Sequence, residues 1–205
     1  MIEYLLKAFA AFFSIINPMG IMPVFMSMTV ALSISQRRKV ATKATFIAFI
    51  VLILFALAGE YIFRFFSITP ESFRIVGGII FFMVGWEMLQ ARQSRTKFTP
   101  EEQSSYMDDI TITPLAVPMI AGPGAITNSI IFWEEATAPE QKIGLVGVVF
   151  LVLFLVWISL VGAGKIMSYM GDTGNKIMLR LMGMIVMVIA VEFFFSGLLP
   201  MLGLR

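Results

Sequence analysis

The chain has 205 residues, a net charge of +2, no cysteine and no histidine; 59% of it is apolar and 14% charged. A soluble domain of this length has no use for so much apolar surface, so the solvent is lipid and the expected fold class is an all-α polytopic membrane protein. The charge is too small and scattered for a nucleic-acid partner, and the missing cysteines exclude disulfides, thiol chemistry and Cys-based metal sites, so no cofactor is expected.

Six apolar segments follow one another, at roughly 2–31, 40–66, 72–91, 112–133, 142–169 and 175–203. Each is long enough to cross an apolar core of about 30 Å. In the first, Glu3 and Lys7 cancel and no small-residue cleavage site follows, so it reads as a membrane span rather than a signal peptide. The polar stretch 91–111 reads as a loop, and with it the chain is one membrane domain over 1–205: a first half of about 1–91, a cytoplasmic connector at 92–111 and a second half of about 112–205.

Basic residues orient these spans. Arg37, Arg38, Lys39, Lys43, Arg92, Arg95, Lys97, Lys165, Lys176 and Arg180 fall on one side, against Lys7, Arg64, Arg74, Lys142 and Arg205 on the other. The richer side is expected in the cytoplasm, which puts both termini outside the cell membrane.

Segments 1 and 4 are interrupted. Asn17-Pro18-Met19-Gly20 breaks the first and Gly122-Pro123-Gly124-Ala125 the fourth, 105 residues later. Pro18, Pro23, Pro114, Pro118 and Pro123 all lie in these two segments, whereas Pro70, Pro100, Pro139 and Pro200 lie at span ends or in loops. The same offset places Arg37 on Lys142, Gly59-Glu60 on Gly164-Lys165 and Glu87 on Glu192. Each half has three spans, so the second enters the membrane from the opposite side, which predicts a 3+3 inverted repeat with helices 1 and 4 discontinuous.

A broken membrane helix survives where its freed backbone faces protein or a wet cavity. It leaves carbonyls at the end of one half-helix and amides at the start of the next. The amides and the helix dipole favour an anion; the carbonyls accept from an ammonium. A zwitterionic amino acid carries both groups. The candidate substrate residues are therefore Asn17, Gly20, Ile21, Gly122, Gly124, Ala125, Ile126, Thr127 and Asn128, with Ser14 and Thr113 further out. The amides of Gly20 to Met22 and of Gly124 to Ile126 are the expected carboxylate donors. No acidic residue lies in segment 1 beyond Glu3 or in segment 4 before Glu134, so the site is neutral, and its glycines suit a small substrate. Glu87 and Glu192 are the candidates for proton coupling, against a plainer role as interfacial carboxylates.

These residues resemble the MarC family of integral membrane proteins. The resemblance lies in Ile16-Asn17-Pro18-Met19-Gly20 with Pro23 and Phe25, in Pro114-Leu115-Ala116-Val117-Pro118, in Gly122-Pro123-Gly124-Ala125-Ile126-Thr127, and in the Arg74-Ile75-Val76-Gly77-Gly78 and Arg180-Leu181-Met182-Gly183 regions. It implies six spans, the inverted repeat and the discontinuous helices. Through family members named SnatA it also implies transport of small neutral amino acids: glycine, alanine and, as a further candidate, serine. The expectation is a secondary transporter working by alternating access in the inner membrane, with proton coupling as a hypothesis and no enzymatic activity. The alternative is an efflux protein or channel. The expected partners are the amino acid and the bilayer, with a homo-oligomer left open.

Overall fold

The structure is a computed structural model that describes residues 1–29, 32–90, 100–168 and 171–203. Among these it is all-helical. The order is α1 (Ile2–Ile16), α2 (Pro18–Met28), α3 (Ile34–Phe65), α4 (Pro70–Gln90), α5 (Pro100–Ile110), an irregular helical segment Thr111–Ile120, α6 (Pro123–Glu135), α7 (Pro139–Ser168) and α8 (Gly171–Met201). Five helices or helix pairs are long and apolar enough to cross a membrane, and a sixth candidate is Ser105–Ile120 with Pro123–Glu135, bent by 55°.

Proline sets many of the boundaries. Pro18, Pro70, Pro100, Pro123 and Pro139 each occupy the first position of a helix. There the missing N–H costs nothing and the fixed φ is already helical. Side chains complete the starts. Ser33 and Gln36 form a reciprocal capping box at α3. Gln141 Oε1 accepts from the amides of Thr137 (2.8 Å) and Ala138 (3.1 Å) ahead of α7. In Thr111–Ile120 the residues before two prolines, Thr113 and Val117, are extended rather than helical. The ring of the following proline pushes its predecessor out of the α region, so the Pro114/Pro118 pair turns this stretch into a wide, uneven coil.

The expected loop at 91–111 is helical from Pro100 onward. A helix-starting proline is followed by Glu101, Glu102 and Gln103, good helix formers with acidic residues toward the N-terminus. The helix is tied to α3 by an ion pair between Lys43 and Asp108 (2.7 Å). Arg92, Arg95, Lys97 and Arg205 lie outside the described residues.

The interior is built around α3 and α7. Ala41, Ala44, Ala48 and Leu52 form a buried stripe on α3, and Leu145, Val149, Val152, Val156 and Leu160 one on α7. These spacings of three and four follow the helical repeat. Each long helix packs on the interrupted segment of the other half: α3 on Thr111–Ile120 and α6, α7 on α1 and α2. Large apolar side chains such as Phe46, Leu57, Phe150 and Val188 are exposed on the outside, as a lipid-facing surface requires.

The most extensive pair is α4 with α8. In lipid, helices gain little from hiding apolar surface and associate by close packing at small residues. Here the backbones meet at glycines. A Cβ on Gly78 would lie 2.6 Å from the Ala190 carbonyl oxygen and 2.8 Å from the Phe194 amide. One on Gly183 would lie 2.9 Å from the Gly85 carbonyl oxygen and 3.1 Å from the Leu89 amide. These neighbours are backbone and cannot step aside. Gly85→Leu and Gly183→Leu should each lower stability by about 1–3 kcal/mol or more. Gly147→Leu and Gly162→Leu, which meet nothing within 4 Å, should be near neutral. Thermal unfolding of the four variants in detergent checks this contrast.

Candidate functional site

The first interruption turns on one residue. Asn17 has φ 48° and ψ 72°, a left-handed conformation that ends α1 and starts α2. Asparagine is among the few non-glycine residues that reach this region cheaply, because its amide bonds locally. Its Oδ1 accepts from the Gly20 amide at 3.1 Å. Its own carbonyl accepts from Gly20 (2.9 Å) and Ile21 (3.2 Å), and its amide donates to Phe13 O. A Cβ on Gly20 would collide with the Asn17 side chain. Glycine therefore lets the cap fold back.

The second interruption is built differently. Ala121 donates to Ala116 O (2.8 Å), Gly122 is extended, and Pro123 begins α6 without a side-chain cap. Ile126 N–H reaches Gly122 O at 2.9 Å. The amides of Gly124 and Ala125 meet no acceptor among the described residues, although both residues are buried. The Thr127 hydroxyl, in the same helix, is 1% exposed and also lacks a partner. Its neighbour Ser129 does what a helical hydroxyl usually does and bonds back to Ala125 O at 2.9 Å. The start of α6 thus holds buried donors with nothing to donate to, at the positive end of a helix dipole.

The two interruptions adjoin. A Cβ on Gly124 would run into Ile15, in the last turn of α1, and into the Phe193 ring of α8. Neither Pro18 nor Pro123 has an N–H, so neither can bond the carbonyl four residues back, that of Ser14 or of Met119. A cavity of about 40 Å³ lies at the first break, bounded by Asn17, Gly20, Ile21 and Met119 and by Phe81, Val84, Val186 and Ile189 of α4 and α8. It is mostly apolar, with Asn17 as its polar side chain, and of a size for water rather than for an amino acid.

Asn17, Gly20 and Ile21 line this cavity. Gly122, Gly124, Ala125, Ile126 and Thr127 are buried at the start of α6, and Asn128 is half-buried beside them. Ser14 and Thr113 are exposed. The free amides are fewer than the sequence suggested: those of Gly20 and Ile21 are taken by Asn17 and that of Ile126 by Gly122, because acceptors within the same turn reach them. Glu87 and Glu192 are exposed and do not line the cavity. Phe81, Val84, Val186, Ile189 and Phe193 were not among the expected site residues. The offset of 105 pairs Phe81 with Val186 and Val84 with Ile189, so it held a signal for four of the five. No group of three or more Asp or Glu that could hold a metal ion occurs among the described residues.

A family model described as MarC family integral membrane protein matches residues 2–202. The chain belongs to the MarC family. It is 34% identical over 198 residues to a UPF0056 membrane protein of Methanocaldococcus jannaschii, covering 96% of this chain and 97% of that one. It is 32% identical over 203 residues to one from Pyrococcus abyssi (97% and 98% covered) and 33% over 193 residues to one from Buchnera aphidicola (94% and 90%). No solved structure matches the chain. The family description makes this an integral membrane protein, and the five or six candidate spans make it multi-pass.

The cap at Asn17 carries a stability prediction. Asn17→Ala should cost about 1 kcal/mol from the lost cap, with more from the left-handed backbone. Asn17→Gly, which keeps the backbone conformation open, should cost only a few tenths. Thermal unfolding of the two variants orders them, and equal losses would contradict this account of the break.

Proposed function

We propose that this MarC protein is a secondary transporter of small neutral amino acids, glycine and alanine foremost, and not an enzyme. The observation that carries the reading is the buried, unpartnered donor set at the start of α6. A hydroxyl and two amides in apolar surroundings cost free energy unless something accepts from them, and a carboxylate is the acceptor that a helix N-terminus favours. The orphan carbonyls of Ser14 and Met119 are the acceptors for an ammonium. Among the described residues no acidic side chain lines the cavity to claim a cationic substrate, and Gly124 packs so closely on Ile15 and Phe193 that any space opening there suits only a small one.

The same reading takes the chain as a single membrane domain of six spans in a 3+3 inverted repeat, helices 1 and 4 discontinuous. The support is in the contacts. An offset of 105 takes Gly78, Gly85 and Leu89 to Gly183, Ala190 and Phe194. The close approaches of Gly78 to Ala190 and of Gly183 to Gly85 therefore exchange with one another, as do those of Gly78 to Phe194 and Gly183 to Leu89. That is the self-complementary pattern of a two-fold axis. Pro18 and Pro123, and Ser14 and Met119, correspond in the same way. So do Arg37, whose Nε donates to Thr29 O at the end of α2 (2.9 Å), and Lys142, whose ammonium lies 5.0 Å from the Trp133 ring at the end of α6.

Alternating access needs two closures, and the fold offers a matched pair. Tyr4 at the start of α1 donates to Phe132 O near the end of α6 (2.5 Å). Tyr106, ahead of the second interrupted segment, donates to Met28 O at the end of α2 (2.8 Å). We take the Tyr4 contact as extracytoplasmic and the Tyr106 contact as cytoplasmic, in a cell inner membrane with both termini outside. One such bond is worth about 1 kcal/mol, roughly five-fold in a two-state population. Tyr4→Phe should thus raise labelling of Ile21→Cys by an impermeant thiol reagent added outside, and Tyr106→Phe should lower it. The natural chain has no cysteine, so the reporter reads alone, and a pair of variants acting in the same direction would count against two opposed closures.

Exchange of labelled glycine and alanine in proteoliposomes tests the transport reading. It should saturate, compete with unlabelled alanine and not with lysine or glutamate, and disappear in Gly124→Val. Thr127→Val should weaken the apparent affinity by roughly ten- to a hundredfold, the value of a lost bond to a charged group. No exchange from folded, inserted protein would remove this assignment and bring the efflux or channel reading forward. If transport proves proton-coupled, Glu87 and Glu192 are the carboxylates to test, and Glu87→Gln with Glu192→Gln should abolish its sensitivity to a proton ionophore.

A further inference from the structure

Away from the interruptions, α3 and α7 enclose an open groove of about 360 Å³, lined by Thr42, Thr45, Phe46, Phe49, Phe150, Leu153, Phe154 and Trp157. It has two unlike ends. Along most of its length the α7 wall is aromatic: the Phe150 and Phe154 rings stack at 6.3 Å and Phe154 and Trp157 at 5.9 Å. At the other end the Trp157 indole N–H donates to Thr42 Oγ1 (2.9 Å), and Thr42 Oγ1 donates to Arg38 O (2.9 Å). The Arg38 guanidinium lies over the Trp157 ring, 5.7 Å from its centroid.

The cations at this end are not equivalent. Lys43 is matched by Asp108. Arg37 donates to the carbonyl that ends α2. Arg38 is exposed, and no carboxylate lies within ion-pair distance of it among the described residues. Its one described side-chain contact is the indole that forms the end of the groove. An occupant must therefore be an anion at one end and a hydrocarbon over the next two helical turns. A second copy of this chain would have to bring an acidic side chain to the membrane surface beside a bare apolar ridge. A glycerophospholipid with a net negative headgroup has both parts in one molecule.

We propose that this groove is a binding site for an anionic phospholipid, its phosphate on Arg38 and one acyl chain along Phe46, Phe49, Phe150 and Phe154. Basic pockets between membrane helices on the side rich in Lys and Arg recognise headgroups in this way. The cation over Trp157 is held in place by the ring's negative face, which orders the guanidinium before the lipid arrives. The site is independent of the transport reading, because none of its residues lines the cavity at the interruptions.

The test uses the full chain in vesicles, with Trp86→Phe and Trp133→Phe leaving Trp157 as the reporter. Phosphatidylglycerol or phosphatidylcholine brominated on the acyl chains is titrated into an unbrominated background. Trp157 should be quenched at a mole fraction of brominated phosphatidylglycerol about five-fold lower than of phosphatidylcholine, the preference expected of one cation at the surface. Arg38→Gln should abolish that preference. Lys39→Gln, an equal change in surface charge at an exposed neighbour, should leave it. Equal quenching by the two lipids would mean ordinary surrounding lipid and overturn the proposal. A preference lost equally in Lys39→Gln would mean a diffuse surface potential and do the same. No quenching by either lipid would mean that another chain covers the groove, and would also overturn it.

Discussion

A backbone amide or carbonyl in lipid must find its partner inside the protein. The uninterrupted helices meet that demand in the ordinary way, with bonds along their own length and, at α3, α4 and α7, side-chain caps at their starts. The two interrupted segments do not. Five of the nine prolines are spent on them, and in a bilayer such breaks are destabilising unless the surrounding fold compensates. Much of the rest of the structure can be understood as that compensation. The long helices α3 and α7 each pack on the interrupted segment of the other half of the chain, Arg37 donates to the carbonyl that ends α2, and α4 and α8 meet closely through glycines.

The two breaks differ in how their buried amides are met. At Asn17 a single side chain closes the gap, taking up the Gly20 amide and leaving a small cavity. At the start of α6 there is no such cap, because Gly122, the residue before Pro123, has no side chain to fold back. Two amides and the Thr127 hydroxyl are left without acceptors. One side chain, present at Asn17 and missing at Gly122, thus separates a capped break from an uncapped one. On the proposed transport reading, the anion would therefore sit at α6, with the first break supplying carbonyls.

Much of this was legible in the sequence. The apolar spans and the prolines at their ends needed only length and position, since a proline at the first helical position has one physical meaning. The interruptions were visible because proline and glycine cluster in two segments. What the sequence hid was where the local hydrogen bonds go. The Gly20 and Ile21 amides looked available until Asn17 turned back on them, and the helix at Pro100–Ile110 was obscured by polar composition that equally suits a loop. The walls supplied by α4 and α8 were obscured for another reason. Phe81, Val84, Val186 and Ile189 look like any apolar membrane residues, and only the register between the halves distinguishes them.

The central claim is that the two interruptions act on one small zwitterion, its carboxylate at α6 and its ammonium at the carbonyls left bare by Pro18 and Pro123. Equilibrium binding of labelled alanine to the purified protein, competed with unlabelled alanine, propionate and ethylamine, addresses it directly. The account predicts that unlabelled alanine displaces the label, while propionate and ethylamine, each carrying one of the two charges, displace it far less, alone or together. Propionate competing as well as alanine would reduce the site to an anion pocket at one helix end, and an absence of alanine binding to folded protein would contradict the account altogether.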